Sequence, residues 1–327
     1  MSTIEAFKGA RKKRAFACQE RSRGNGKPIR LASSYFKDND VTLLNGDCLA
    51  LLETMPDECA QLIVTSPPYN IGKEYEEQLN LSVYLQQQSD VIRECVRILH
   101  PKGNLCWQVG NHVDRGGIIP LDSVLFPIFS GLGLKMRNRI VWHFEHGLHC
   151  TRRLSGRYEV IVWYTKSDDY QFQLDPVRVP QKYPGKRHFK GPKIGEFSCN
   201  PKGKNPGDVW MIPNVKNNHV EKTVHPCQFP VELIERLVLS MTYPGNLVVD
   251  PFMGVGTTAV AALRHGRRSA GAEIVESYYE NAIQRILLES RGQLATRPMG
   301  QPVHQPSGRE KITQNPFKNG HLPERFR

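Results

Sequence analysis

Residues 246–273 read NLVVDPFMGVGTTAVAALRHGRRSAGAE. An apolar run from Leu247 to Asp250 meets a Gly-x-Gly turn at Gly254 and Gly256, and a helical stretch follows from Thr257 to His265. A second strand pattern, Ser269 to Ile274, comes next. Strand, glycine turn, helix and strand make a βαβ unit, the building block of parallel sheets. Glycine at the turn permits positive φ and lets a ligand approach the backbone. The free N–H groups and the dipole at the start of the helix add a polar cradle. Glu273 stands 19 residues after Gly254 at the end of the second strand, where a carboxylate can accept two hydrogen bonds from ribose hydroxyls. The unit reads as a nucleoside-cofactor site.

Two features separate it from a dinucleotide site. Asp250 closes the strand ahead of the glycines, where it can face a cation. Only about 50 residues follow Glu273, with no further strands, whereas a dinucleotide-binding domain needs several strands after its glycine loop. The partner strands must come from the N-terminal half, so the sheet is wound in permuted order.

That half supplies them. Val41–Asp47, Leu62–Thr65, Gly103–Gly110, Arg139–Phe144 and Glu159–Thr165 read as strands, mostly continuous apolar runs of the kind a sheet buried on both faces requires. Helices are expected over Cys48–Met55, Leu81–Leu99 and Leu121–Leu132, the last kinked or split by Pro127, and further on over Val231–Met241 and Glu276–Ser290. The fold class is α/β, a doubly wound and mostly parallel sheet. Between 168 and 223 the pattern dissolves into Pro, Gly and Lys, too long a stretch for an ordinary connection. The expected division is a basic tail (1–35), a catalytic domain (36–167 and 223–292), an irregular insert (168–222) and a tail without a fold (293–327).

Leu62–Thr65 stops at Thr65-Ser66-Pro67-Pro68-Tyr69-Asn70. Two prolines fix the backbone and leave carbonyls without N–H partners in the loop. Ser66 Oγ and the Pro67 carbonyl can then accept hydrogen bonds from one amino group, and Tyr69 offers an aromatic face beside them. That set suits a planar heterocycle with an exocyclic amine. The same tetrapeptide also fits a rigid surface turn.

The 327 residues carry a net charge of +12, and the excess is segregated. Residues 1–30, 178–222 and 291–327 hold +7, +7 and +5, so the rest of the chain is acidic by −7. Basic appendages on an acidic body suit a polyanion. The insert also carries Tyr183, Phe189, Phe197 and Trp210. No run approaches the ~18 uncharged apolar residues of a membrane span, and no apolar segment follows the charged N-terminus, so neither membrane insertion nor secretion is expected. The eight cysteines stand singly with no CxxC pair, as reduced thiols of a cytoplasmic protein do. His143, His146, His149 and Cys150 lie on no single helical face and read as a polar loop rather than a metal site.

Taken together, the chain over residues 40–290 resembles the β group of bacterial DNA amino-methyltransferases. The resemblance is carried by Gly46-Asp47, TSPPYN at 65–70, LHPKGNL at 99–105, GRYEVIVWYTK at 156–166, NPGDVW at 205–210, HPCQFP at 225–230, DPFMGVGTT at 250–258 and the Glu273 strand. It implies a seven-stranded methyltransferase sheet, S-adenosyl-L-methionine as cofactor, and a target-recognition region in the 168–222 insert. It casts Ser66, Pro67, Pro68 and Tyr69 as the loop that grips a flipped base. Asp250, Phe252, Gly254 and Gly256 resemble the cofactor loop, Glu273 the ribose ligand and Asp47 the acceptor for the adenine amine. Thr257, Thr258, His225 and Gln228 resemble neighbours of the methionine end. In the family, Ser at position 66 goes mostly with cytosine N4 and Asp mostly with adenine N6, so cytosine N4 is favoured and adenine N6 is the alternative.

The expected partner is double-stranded DNA, reached by Arg152, Arg153 and Arg157 beside the loop and by Lys182, Lys186, Arg187 and Lys190 in the insert. The expected setting is restriction-modification, with a cognate restriction endonuclease as functional partner, or orphan methylation without one; the chain is expected to be a monomer or homodimer in the cytoplasm, held to the nucleoid through DNA. The rival classes are a non-catalytic DNA-binding protein that kept the fold, and a methyltransferase for RNA or a small molecule.

Overall fold

The computed structural model of the chain describes residues 19–22, 28–70, 72, 79–114, 116–147, 149–216, 218–303, 307 and 310. In chain order they form β1 (Gln19–Ser22), β2 (Pro28–Ala32), β3 (Val41–Asn45), α1 (Cys48–Leu52), β4 (Ala60–Thr65), α2 (Leu81–Ile98) and β5 (Leu99–Val109). A hairpin of β6 (Asn111–Asp114) and β7 (Gly117–Pro120) follows, then α3 (Leu121–Gly131), β8 (Lys135–His143), β9 (Tyr158–Thr165) and β10 (Val209–Met211). The chain closes the fold with α4 (Val231–Met241), β11 (Leu247–Asp250), α5 (Thr257–Arg264), β12 (Arg268–Glu273) and α6 (Glu276–Ser290).

Ten strands make one sheet, in the order β1-β2-β3-β12-β11-β4-β5-β9-β8-β10. From β2 to β5 every neighbouring pair is parallel, and β9 runs antiparallel to both β5 and β8. The permuted winding is visible here: β11 and β12, late in the chain, sit between β3 and β4. Seven central strands, β3 to β8 in this order, correspond to the expected set.

Three expectations are corrected. The basic N-terminal tail is not all appendage: β1 and β2 extend the sheet, and Ile29 is buried against β3 and α6. Residues 1–18 and 23–27 lie outside the described residues. The insert is not wholly apart from the sheet, because β10 pairs in parallel with β8 and Trp210 and Ile212 enter the core. The C-terminal tail is ordered at its start: the Arg297 backbone N–H donates to Glu221 Oε1 at 3.0 Å, its guanidinium pairs with Glu232, and the Gly300 N–H donates to Glu232 Oε1 at 2.9 Å. Burial of Glu221 and Glu232 makes those donors necessary.

Helices cover both faces. Asn80 caps α2 by accepting from the Ser82 N–H at 3.0 Å, and Tyr84, Gln88, Val91, Ile92, Cys95 and Ile98 form its buried stripe. His100-Pro101 ends it, since the residue before a proline avoids the helical region. Helix α3 is one element despite Pro127, because the fully buried Leu125 and Phe129 hold it on the sheet on either side of the missing hydrogen bond. Helices α1 to α3 share a core with Leu105 and Trp107 of β5. Helices α4 and α5 cover the opposite face over Leu62, Cys106 and Trp163, and α6 packs there over β2 and β3.

Candidate active site

β4 and β11 are adjacent parallel strands, so their C-terminal loops emerge side by side. Asp250, fully buried at the end of β11, ties them together. Thr65 Oγ1 donates to its Oδ1 at 2.5 Å, Thr258 Oγ1 donates to its Oδ2 at 2.5 Å, and the Phe252 N–H donates to Oδ1 at 3.1 Å. Burial pushes the carboxyl up to about 6, with the three donors pulling the other way. The expectation that Asp250 faces a cation is thus corrected: both oxygens are occupied by protein donors. Thr258 is its partner and does not line the cavity between the loops. Gly256 is absent from the lining too. Its φ of +80° starts α5, and a Cβ there would stand 3.0 Å from the Ala282 Cβ, so it serves helix packing rather than ligand approach.

The proline loop is held from several sides. Asn70 takes a positive φ of 57°, which Asn tolerates best after glycine. Its Nδ2 donates to the Leu79 carbonyl at 2.8 Å and its Oδ1 accepts from the Leu79 N–H at 2.6 Å, tying the end of the proline loop to the start of α2. Tyr84 of α2 donates to the Pro68 carbonyl at 3.0 Å. Ser66 Oγ lies 2.9 Å from Tyr69 Oη, and Tyr69 donates to Glu159 Oε2 at 3.1 Å. Gln108 Nε2 donates to the same Glu159 oxygen at 2.7 Å. Desolvation, reinforced by the Glu159 carboxylate, holds the Tyr69 phenol well above its usual range. Gly110 makes room for the ring, since a Cβ there would lie 3.1 Å from Tyr69 Cε2.

A cavity of about 820 Å³ joins this loop to the glycine turn. Ser66, Pro67, Pro68 and Tyr69 line one end; Asp47, Phe252, Gly254, Thr257, Glu273, His225 and Gln228 line the other. Glu273 Oε2 accepts from the Gly254 N–H and Oε1 from the Val275 N–H, both at 2.8 Å, which fixes the carboxylate and leaves its remaining lone pairs for hydroxyl donors. Asp47 caps α1 by accepting from the Leu49 N–H at 2.7 Å. The His225 ring lies 4.6 Å from the Tyr278 ring and tilted by 56° to it, its Nδ1 accepts from the Cys227 N–H, and burial with the nearby Lys222 lowers it to about 4, so the ring is neutral. Gln228 spends both ends of its amide on the turn itself, accepting from Thr223 and donating to the Glu221 carbonyl. Two carboxylates, a neutral imidazole and the apolar Phe252 and Ile274 suit a nucleoside that carries positive charge, and they disfavour phosphate.

Of the arginines, Arg153 and Arg157 line the same cavity, Arg153 reaching the Gly116 carbonyl at 3.4 Å, while Arg152 is exposed outside it. Lys182, Lys186, Arg187 and Lys190 line a separate cavity in the insert, with Arg187 4.0 Å over the Phe197 ring and Tyr183 and Phe189 exposed. Among the described residues, no group of three or more His, Cys, Asp or Glu is placed to hold a metal ion. No helix among them is long and apolar enough to cross a membrane.

Four residues of the site were given no role in the sequence reading: Gln108 and Arg285, and Asn70 and Glu159, which it quoted only as parts of longer motifs. Glu159 signals itself as the acidic residue opening an otherwise apolar strand. Gln108 is the polar interruption of another. Arg285, buried in α6, donates to the Val255 carbonyl at 2.6 Å and to Thr257 Oγ1 at 3.0 Å, bracing the glycine turn from behind.

A mostly parallel sheet with two such loops opening on one cavity defines a class: α/β folds able to bring a nucleoside cofactor to an amine. Residues 60–284 match the N6/N4 DNA methylase family model, and the chain belongs to that family. It is 50% identical over 258 residues to the type II methyltransferase M.BglII of Bacillus subtilis, covering 79% of this chain and 72% of that one. Among solved structures, the TTHA0409 protein of Thermus thermophilus, in complex with S-adenosyl-L-methionine, matches with a TM-score of 0.56 at 30% identity, over 76% of this chain and 94% of that one. The PvuII DNA methyltransferase (cytosine-N4-specific) shares the fold, with a TM-score of 0.60 at 19% identity, over 78% of this chain and 92% of that one.

Proposed function

We propose that this chain is a site-specific DNA methyltransferase that uses S-adenosyl-L-methionine to methylate the exocyclic amine of a flipped base, cytosine N4. The observation that carries the reading is the shared cavity between Ser66–Tyr69 and Gly254, with the two loops tied through Asp250. The cofactor assignment draws further support from the complex of the Thermus relative.

Glu273 and Asp47 hold the hydroxyls and adenine amine, Phe252 and Gly254 the body of the cofactor, and Thr257 and the neutral His225 flank its cationic end. When bound, the cofactor supplies an electrophilic methyl: the amine's lone pair forms the new C–N bond while the C–S pair leaves on sulfur. The chain's own task is alignment and desolvation. Ser66 Oγ and the Pro67 carbonyl accept the amine's hydrogens, which draws its lone pair out of conjugation. Stacking on Tyr69 offsets the few kcal/mol lost when a base leaves the duplex. Arg152, Arg153 and Arg157 meet phosphates near the flipped nucleotide, and the cations and aromatics of the 168–222 insert meet the recognition sequence. The type II name of the 50%-identical relative supports a restriction-modification setting; a cognate endonuclease and a cytoplasmic location belong to the same proposal.

The test is transfer of labelled methyl from the cofactor to duplex DNA, followed by mass spectrometry of the nucleosides. N4-methylcytosine is expected. N6-methyladenine alone overturns the base, and label that moves only to RNA or without DNA overturns the substrate.

A further inference from the structure

The hydroxyls on the cavity floor form a chain whose proton positions follow from counting. Tyr69 has one hydroxyl proton and donates it to Glu159. The proton between Tyr69 Oη and Ser66 Oγ, 2.9 Å apart, must then be that of Ser66. With its own proton turned toward Tyr69, Ser66 keeps both lone pairs for an incoming amine. Gln108 also donates to Glu159, so this carboxylate accepts from two side chains, and it is the group in the chain that can take up a net proton. The gripping loop thus ends in a base.

Resting on the amino-methyltransferase reading, we propose that Glu159 is the proton sink of methyl transfer, reached from the target nitrogen through Ser66 and Tyr69. The displacement leaves the target as –NH2⁺–CH3, one proton in excess of the product. That nitrogen gives a proton to Ser66 Oγ, keeping the N–H electron pair. Ser66 passes its hydroxyl proton to Tyr69 Oη, and Tyr69 passes its own to the Glu159 carboxylate. Nitrogen, serine and tyrosine end neutral, and the glutamic acid later returns the proton to water. Glu159 acts through Tyr69 and Ser66 and is a positioning residue in this sense. Besides Tyr69, the charged group facing it is Lys216, from the segment after β10; Gln108 of β5 is neutral. Desolvation still holds the Glu159 carboxyl above its usual range, so it takes a proton more readily than a surface glutamate.

The experiment compares Glu159→Gln, Tyr69→Phe and the double variant with the wild-type chain. Glutamine can still accept from Tyr69, so cofactor and DNA affinities should stay within about threefold while the single-turnover rate falls ~10²-fold. The wild-type rate should fall as pH drops through the raised Glu159 range, and that acid limb should vanish in E159Q. The double variant should be no slower than Tyr69→Phe, since either change cuts the same chain. A readout independent of turnover is carboxyl ¹³C NMR of the ligand-free protein: burial raises Glu159, Glu232 and Glu273, and of the glutamates that titrate above the usual range one should disappear in E159Q and shift in Y69F. Wild-type rate and pH profile in E159Q, or a titration that Y69F leaves unmoved, overturns the sink. A wild-type chain that methylates no DNA overturns the underlying reading and the sink with it, whereas loss of the sink alone is read against an active wild type.

Discussion

Asp250 is a buried carboxylate whose two oxygens accept from Thr65, Thr258 and the Phe252 N–H. Asp250→Ala leaves those donors unpaired in the core and should cost ~3–5 kcal/mol, checked by chemical denaturation. Two groups in this region move stability with pH in opposite senses. Asp250 is raised from 3.8 to about 6, so its folded form prefers the proton and stability falls as pH rises through that window. His225 is lowered from 6.5 to about 4, so its contribution is complete above 6.5 and is lost as pH falls toward 4. Removing the second, in His225→Gln, should make the melting temperature decline less between pH 6.5 and 4 than in the wild-type chain. At Glu273, substitution by Ala removes both anchors of the Gly254 and Val275 N–H groups, and titration calorimetry should show cofactor affinity reduced ~10²-fold or more. Ser66→Ala should instead spare cofactor affinity and lower the transfer rate.

Among elements, α5 decides how close the glycine turn comes to α6. Gly256→Ala forces a side chain into φ +80° and against the Ala282 Cβ at 3.0 Å. It should destabilise by ~2 kcal/mol in thermal melts. Most elements were legible because strands buried on both faces read as continuous apolar runs, as in Leu62–Val64 and Val248–Val249. Strand β5 starts at Leu99, four residues ahead of the run at Gly103, because its first part pairs with Ala60 across an irregularity in register. Strand β10 was hidden for another reason: only Trp210 of its three residues is buried, so it has no pattern of its own. Its pairing with β8 makes it a strand.

For the molecule as a whole, the basic insert is sewn to the catalytic body at its near end, where Gln173 bonds the Ser240 and Thr242 carbonyls and Gln171 bonds the Lys102 carbonyl. Its outer part carries Lys182, Lys186, Arg187 and Lys190 away from the active cavity. Changing all four to Ala should lower the salt dependence of DNA affinity by ~3–4 in log–log slope and leave cofactor affinity unchanged, as a fluorescence titration over salt would show. The chemistry of the site was readable because side-chain type is written directly in the chain: a serine between threonine and two prolines, glycines after an aspartate, a glutamate at a strand end. The strand pattern likewise determined an α/β sheet and its permuted winding. Which of those residues face the cavity was settled by tertiary structure alone. Asp250 and Thr258 turn inward to each other, Gly256 turns to α6, and Glu159, 90 residues from Tyr69, arrives beneath it. Local sequence specifies backbone and chemistry over a few residues, whereas burial and hydrogen-bond partners depend on strands brought together from distant parts of the chain.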